Sequence, residues 1–352
     1  NGDINAGTGT VQVNATLGDI TMASGAVTTS TGAIDYNAAT NVVLGRLTTS
    51  GTVNVDATAG AISDATAGEG AGNENVAGST VTLVAATGIG ATGGTLDIDT
   101  AATTLVSSTG TGGIFLTETD GVAIGATSTA TSGNVEIIAG GTMTTSGTIS
   151  VAGSGALTLQ TTSGSITLSN PVSTAGAGTL TLNANTTLDI NAAVTTVGGL
   201  VDIDAGGNIA SNASGDITTT AAADSGLISG AVNILAGGTG SVALLGDVIT
   251  TGAAHATAGA TASAGGQVTI ASTDNTVAVA LITTSGGAAT GTGATVGGAA
   301  GTITLTSADA GANATHALNV NGALSASGGT GVTAGAGGVI GVTADGLLTL
   351  DA

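Results

Sequence analysis

Two stretches of this chain carry carboxylates at a spacing that could do chemistry. LDID places Asp97 with Asp99, and VDID places Asp202 with Asp204. Residues two apart on a strand share a face at roughly 6–7 Å between Cα atoms. That is not far from the separation that glycosidases use for their carboxyl pair. The same oxygens suit weak binding of Ca2+, a hard cation that prefers carboxylate ligands. However, no arginine, lysine or tryptophan stands beside either pair to hold a sugar, and the two pairs lie about five coils apart in the repeat set out below. The Gly-Gly-x-Gly-x-Asp nonapeptide of calcium-binding β-rolls does not occur either. Both pairs are read as outward, solvated positions; weak Ca2+ binding at Asp97, Asp99, Asp202 and Asp204 is the only metal chemistry carried forward, and no catalytic residue or organic cofactor is assigned.

The remaining motifs carry less. His255 and His316 have no neighbouring Cys or His to complete a zinc set and are read as solvent-facing. Gly88, Gly90 and Gly93 spell GxGxxG, but a strand pattern follows them where a dinucleotide site needs a helix, and chance supplies such matches in a chain with 63 glycines. Tyr36 and Phe115, the only aromatics, are assigned to packing, with Phe115 either facing outward or filling a local widening. Outward Thr158, Thr167, Thr181, Thr269 and Thr304 resemble an ice-binding ladder, yet Asp, Asn and Glu interrupt the same positions elsewhere. Sequons at Asn14, Asn185, Asn212 and Asn313 are expected by chance in so Asn- and Thr-rich a chain.

All of these residues ride on one repeat. A large aliphatic, any residue, then a large aliphatic recurs at Val11, Val53, Val81, Leu96, Ile114, Val135, Leu157, Leu180, Val201, Val232, Val268 and Ile303, between glycines. Between Leu157 and Val201 the unit is clearest: three short alternating segments, such as Leu157/Leu159, Ile166/Leu168 and Val172, fill each step. Alternation puts the aliphatics inside and the Thr, Asp or Asn between them outside. One coil cannot bury its own apolar face, so coils must stack. The expectation is an all-β, right-handed parallel β-helix of about three short strands per coil and roughly 13 coils, on the order of 60 Å long. It runs as a single array over 1–352, with coil starts at Ile34 and Val339 completing the series and the register least certain between Val53 and Ile114. Pro171 falls at a corner, where a missing amide donor does least harm.

An aliphatic followed by two threonines marks the third side of the coil, at Val27, Leu47, Met143, Val194, Ile249 and Ile282. Gly/Ala-rich stretches follow several of these, at 219–230, 251–266, 284–301 and 326–338. They predict insertions leaving one corner as a ridge, which is either a contact surface or a row of tolerated solvent loops.

With one Arg, no Lys and 22 carboxylates, the net charge of −21 excludes polyanion partners, and no basic stripe exists for nucleic acid. No apolar run approaches the roughly 20 residues of a membrane span. Partners compatible with this surface are cations, neutral polymers such as polysaccharide on a host or neighbouring cell, and further copies of the chain. The absence of cysteine leaves the compartment open. Because NGDINAG and GLLTLDA are both repeat-like and uncapped, the expectation is a segment of a longer array, or a subunit whose coil ends and corner insertions associate with other copies.

The units GTVNVDATAGAI, GSITLSN, GTLTLNAN and GTITLTSADAG resemble the repeats of filamentous haemagglutinin-type proteins, the giant bacterial surface adhesins. The resemblance is one of repeat style over nearly the whole chain, so it transfers no functional residue. It implies a secreted or surface-anchored extracellular β-helix with a structural role in adhesion or biofilm, in the manner of a stalk. The alternatives are a subunit of a self-assembling filament, sheath or surface layer and, third, a carbohydrate-active β-helix enzyme that this chain lacks the aromatic and basic side chains to be. Non-enzymatic is the reading carried forward.

Overall fold

The computed structural model describes residues 2–66, 72–93, 96–293, 295–309 and 316–351. Among them every regular element is a strand and every ladder is parallel. The chain divides into two compact units, 1–165 and 166–352, each wound as a β-solenoid with three columns of strands.

In the first unit, one column runs through Val11–Ala15, Ile34–Ala38, Thr52–Ala57 and the end of Val76–Ala85, with Val11, Ile34, Val53 and Val81 in register. The second column stacks Ile20, Val42, Ile62, Ile89, Ile114, Val135 and Leu157. Val27–Ser30, Arg46–Thr49 and the openings of Val76–Ala85 and Ile98–Thr109 make the third. The apolar pairs that form one series in the sequence thus belong to two columns: Val11 to Val81 stack in the first, Ile114 onward in the second. The break falls at Leu96, which is 49% exposed and opens no coil, and the residue on top of Val81 is Leu105. All three columns alternate in the same way, so an apolar pair identifies a strand without identifying its column. Two long strands here, Val76–Ala85 and Ile98–Thr109, span a corner that turns interrupt in earlier coils.

The second unit is more regular. Its first column is Leu180–Ala184, Val201–Ala205, Val232–Ala236, Val268–Ser272, Ile303–Ser307 and Ile340–Ala344. The last strand opens at Ile340, paired with Ile303, while Val339 lies exposed just before it, one residue off the predicted start. Inward Leu180, Val201, Val232, Val268 and Ile303 are wholly buried. Each such side chain contributes about 1.5–3 kcal/mol as an upper figure. Pro171 occupies an exposed corner, as its missing amide requires.

The insertions leave the predicted corner, after the third-column strands Ile217–Thr218, Val248–Ile249, Ile282–Thr283 and Leu324–Ser325. They are packed layers rather than free loops. Outgoing legs bond to one another through Gly252 N to Ser285 O and Gly286 N to Ser327 O; returning legs do so through Ser229 N to Ala264 O, Gly265 N to Ala299 O and Ala300 N to Ala336 O. The two legs of one insertion meet at Gly298 N to Gly287 O. A Cβ on Gly298 would sit 1.9 Å from Ser263 O, so backbone packs on backbone and no side chain fits.

One buried threonine of each Thr-Thr run closes the neck, the first of the pair at Thr250 and the second at Thr219 and Thr284. Thr219, Thr250 and Thr284 point inward at 0% exposure, and their hydroxyls donate to the carbonyls of Gly230, Gly266 and Gly301 at 2.5, 2.6 and 2.9 Å. The same glycines return an amide bond to the threonine carbonyls. Each neck therefore satisfies a buried hydroxyl and three backbone groups at once.

Candidate functional site

The densest polar chemistry lies in the first unit, where the strand Ile114–Glu118 meets the start of Ile98–Thr109. Thr117, Glu118 and Thr119 alternate sides there, and each engages a buried carboxyl or is one. The Thr117 hydroxyl donates to Asp97 Oδ2, and Thr119 Oγ1 donates to Glu74 Oε1 at 3.0 Å. Glu118 itself points into the core at 0% exposure, where Thr100 Oγ1 lies 2.7 Å from Oε2 and the Ala102 amide 3.0 Å from Oε1.

Beside this group stands the single arginine. Arg46 donates to Gly72 O at 2.7 Å and to Asn73 Oδ1 at 3.4 Å. Asn75, fully buried, links Asp64 Oδ1 at 2.8 Å to the amide of Asp99 at 2.9 Å. Burial pulls the Glu74 carboxyl upward, but hydrogen bonds from the Gly72 amide, its own amide and Thr119, together with the Arg46 charge, outweigh that and hold it below the usual range. Glu118 lacks such a cation. Desolvation dominates there, with Asp120 adding repulsion, and its carboxyl is pushed up to about 7 despite the Thr100 and Ala102 bonds.

The Asp97/Asp99 pair of the sequence is not an outward pair. Asp97 is 7% exposed, because Leu96 rather than Asp97 takes the solvent side before the strand opens at Ile98; Asp99 is half-buried. Asp97 lines a cleft with Ala91, Gly93, Phe115 and Glu136. That cleft holds about 20 Å³, room for one water and far too little for a sugar ring. Phe115 does face outward, opposite Glu136, with its ring over Gly113. Tyr36 packs inside at 2% exposure, its hydroxyl 2.7 Å from Thr28 Oγ1. Gly88 and Ile89 form a strand, and among the described residues the next element after Gly93 is the strand Ile98–Thr109.

In the second unit Asp202 and Asp204 do sit on an outward strand face, as the alternation requires. They pair with Thr181 and Asn183 on one side and with Asn233 and Leu235 on the other. Partial burial and then the Asp202 charge push the Asp204 carboxyl upward. Neither histidine is a lone solvent-facing residue. His255 Nδ1 lies 3.0 Å from Asp224 Oδ1, between stacked insertions; Asp224 is held at φ 55°, the left-handed region that Asp tolerates better than most residues. His316 Nε2 lies 3.5 Å from Asp274 and 3.9 Å from Asp309. Asp224 and Asp274 come from the preceding coils, so sequence proximity did not reveal them; Asp309 lies seven residues before His316 in the same connection. Of the sequons, Asn14, Asn185 and Asn212 are exposed, and Asn313 lies outside the described residues.

No family model, no curated protein and no solved structure matches this chain.

Proposed function

We propose that this chain is a structural solenoid, a shaft or stalk segment of an extracellular surface protein of the filamentous haemagglutinin type. The supporting observation is the interior of each unit: stacked aliphatics buried to within about 1% in the regular coils, flanked by continuous parallel ladders and by insertions sealed backbone to backbone. Such a build resists deformation and presents a polar, acidic exterior, which suits spacing a binding module away from a surface. The polar clusters fit within this reading as devices that tie coils together, since Asn75 bridges Asp64 to the Asp99 amide and Thr117 and Thr119 reach Asp97 and Glu74.

Single-molecule pulling on the chain between folded handles tests the proposal. Coils of 19 to 37 residues, the steps from Ile34 to Val53 and from Ile303 to Ile340, should release contour in increments of about 60–130 Å. A single featureless extension at low force would end it. A subunit of a self-assembling sheath is the second reading, favoured by the ordered insertion ridge; electron microscopy at low and physiological calcium separates isolated particles from regular sheets.

A further inference from the structure

Glu118 is out of place. It is the one carboxyl of the chain with no exposed surface among the described residues, and it sits in a column position that carries Ala139 in the next coil. Burying a charge costs several kcal/mol unless a counter-charge accompanies it. The groups around Glu118 offer none. From its own strand and the following turn comes Asp120; from the segment leading into Ile98–Thr109 come Asp97 and Asp99; from the neighbouring Val135–Ala139 strand comes Glu136; beyond Thr119 lies Glu74. Arg46, the single arginine, is committed to Gly72, Asn73 and the Glu74 charge. The strand Val122–Thr129 contributes no ionisable side chain.

The hydrogen bonds accommodate both protonation states. When Glu118 is ionised, Thr100 Oγ1 donates to Oε2 and the Ala102 amide to Oε1. When Glu118 is neutral, its own O–H donates to Thr100 Oγ1, whose hydroxyl turns to the Thr117 carbonyl 3.3 Å away, and the Ala102 amide still finds an oxygen. Thr100, at 0% exposure, thus has a partner ready for either orientation of its proton. Just outside, a surface depression lined by Gly78, Ala101, Ala102, Thr103, Asp120 and Gly121 gives solvent a route to this corner.

We propose that Glu118 is a proton-operated fastener of the first unit: in its neutral form it is a satisfied core residue, and on ionisation it loosens the packing of Ile98–Thr109 against Ile114–Glu118. The folded-state value of about 7 lies above the ordinary glutamate value of 4.5. The contribution is therefore fully present below pH 4.5 and is lost as pH rises through about 7. Over that window the unfolding equilibrium gains tenfold per pH unit, about 300-fold in total. Glu74 works in the opposite sense, losing stability on acidification, so the comparison must isolate Glu118.

The test uses the full chain and E118Q, which keeps shape and hydrogen bonding but cannot ionise. Tyr36 is the single tyrosine and the chain has no tryptophan, so intrinsic fluorescence reports the first unit in urea unfolding. The ratio of unfolding constants, wild type over E118Q, should rise about 40-fold from pH 5 to 7 and level off above pH 8. Parallel pH profiles for the two proteins would overturn the proposal. If E118Q does not fold, side-chain carboxyl 13C titration of the wild type decides: the chain has four glutamates, and one should titrate near pH 7. Four ordinary midpoints would refute the fastener.

Discussion

Thr250 shows how much a single hydroxyl does in this fold. Its methyl and Cβ fit the aliphatic column while its Oγ1 holds the neck of an insertion at Gly266. Thr250→Val keeps the shape but leaves the Gly266 carbonyl short of a donor, at a cost of about 1–3 kcal/mol. Thr250→Ser should recover most of the loss. Urea midpoints of the two variants check this, and equal destabilisation by both would point to volume rather than the hydrogen bond. Gly298 makes the complementary case, where the absence of an atom matters. Gly298→Ala places a carbon 1.9 Å from Ser263 O, so the returning leg must shift. Limited proteolysis should then cut within 284–301 at a rate the wild type does not show, and an unchanged digestion pattern would contradict the packed-layer description.

At the scale of elements, the insertions behave as a stack whose members support one another. Residues of the 251–266 insertion bond to those on either side, Asp224 N to Ala254 O below and His255 N to Ala288 O above. Excising 252–265 and rejoining the neck should leave the strands Val248–Ile249 and Val268–Ser272 each paired with its neighbours in the adjacent coils, since Thr250 and Gly266 already meet. The neighbouring insertions lose their partner, so amide exchange should rise at 285–292 while Val268–Ser272 stays protected. Loss of protection throughout the unit would mean that the coil depends on its ridge. The alternating apolar pairs, Pro171 at its corner and the exit point of the insertions were all legible in the sequence, because each is set within a few residues by alternation, a missing donor or chain length. Which column a pair joins was not legible. Leu96 reads like Val81 and Ile114, yet it is exposed and Leu105 takes the place above Val81.

For the whole molecule, charge is the dominant condition. With a net charge of −21 and a single arginine, self-repulsion favours any expanded state. Thermal midpoints should rise as sodium chloride is increased from about 0.02 to 0.3 M, because the Debye length falls from tens of ångströms to well under 10 Å. Equivalent ionic strength supplied as calcium chloride discriminates diffuse screening from site binding at the outward Asp202 and Asp204: a further rise that Asp202→Asn abolishes would identify a site, and coincident curves would not.

By itself the sequence determined the parallel β-solenoid class, the three-sided coil, the inward aliphatics and the acidic exterior. Each of these follows from a pattern repeated locally, and a repeat can be read without knowing where its copies meet. Only the tertiary structure decided how the copies register, that Asp97 turns inward, that the insertions pack on glycine, and that His316 meets Asp274 and Asp309. It alone also placed Glu118 beside Thr100 and committed the single arginine to Gly72 and Asn73. Apart from Asp309 and His316, which share one connection, these are encounters between residues roughly 18 to 45 positions apart, brought together by winding the chain, and no local pattern encodes which turn lies on which.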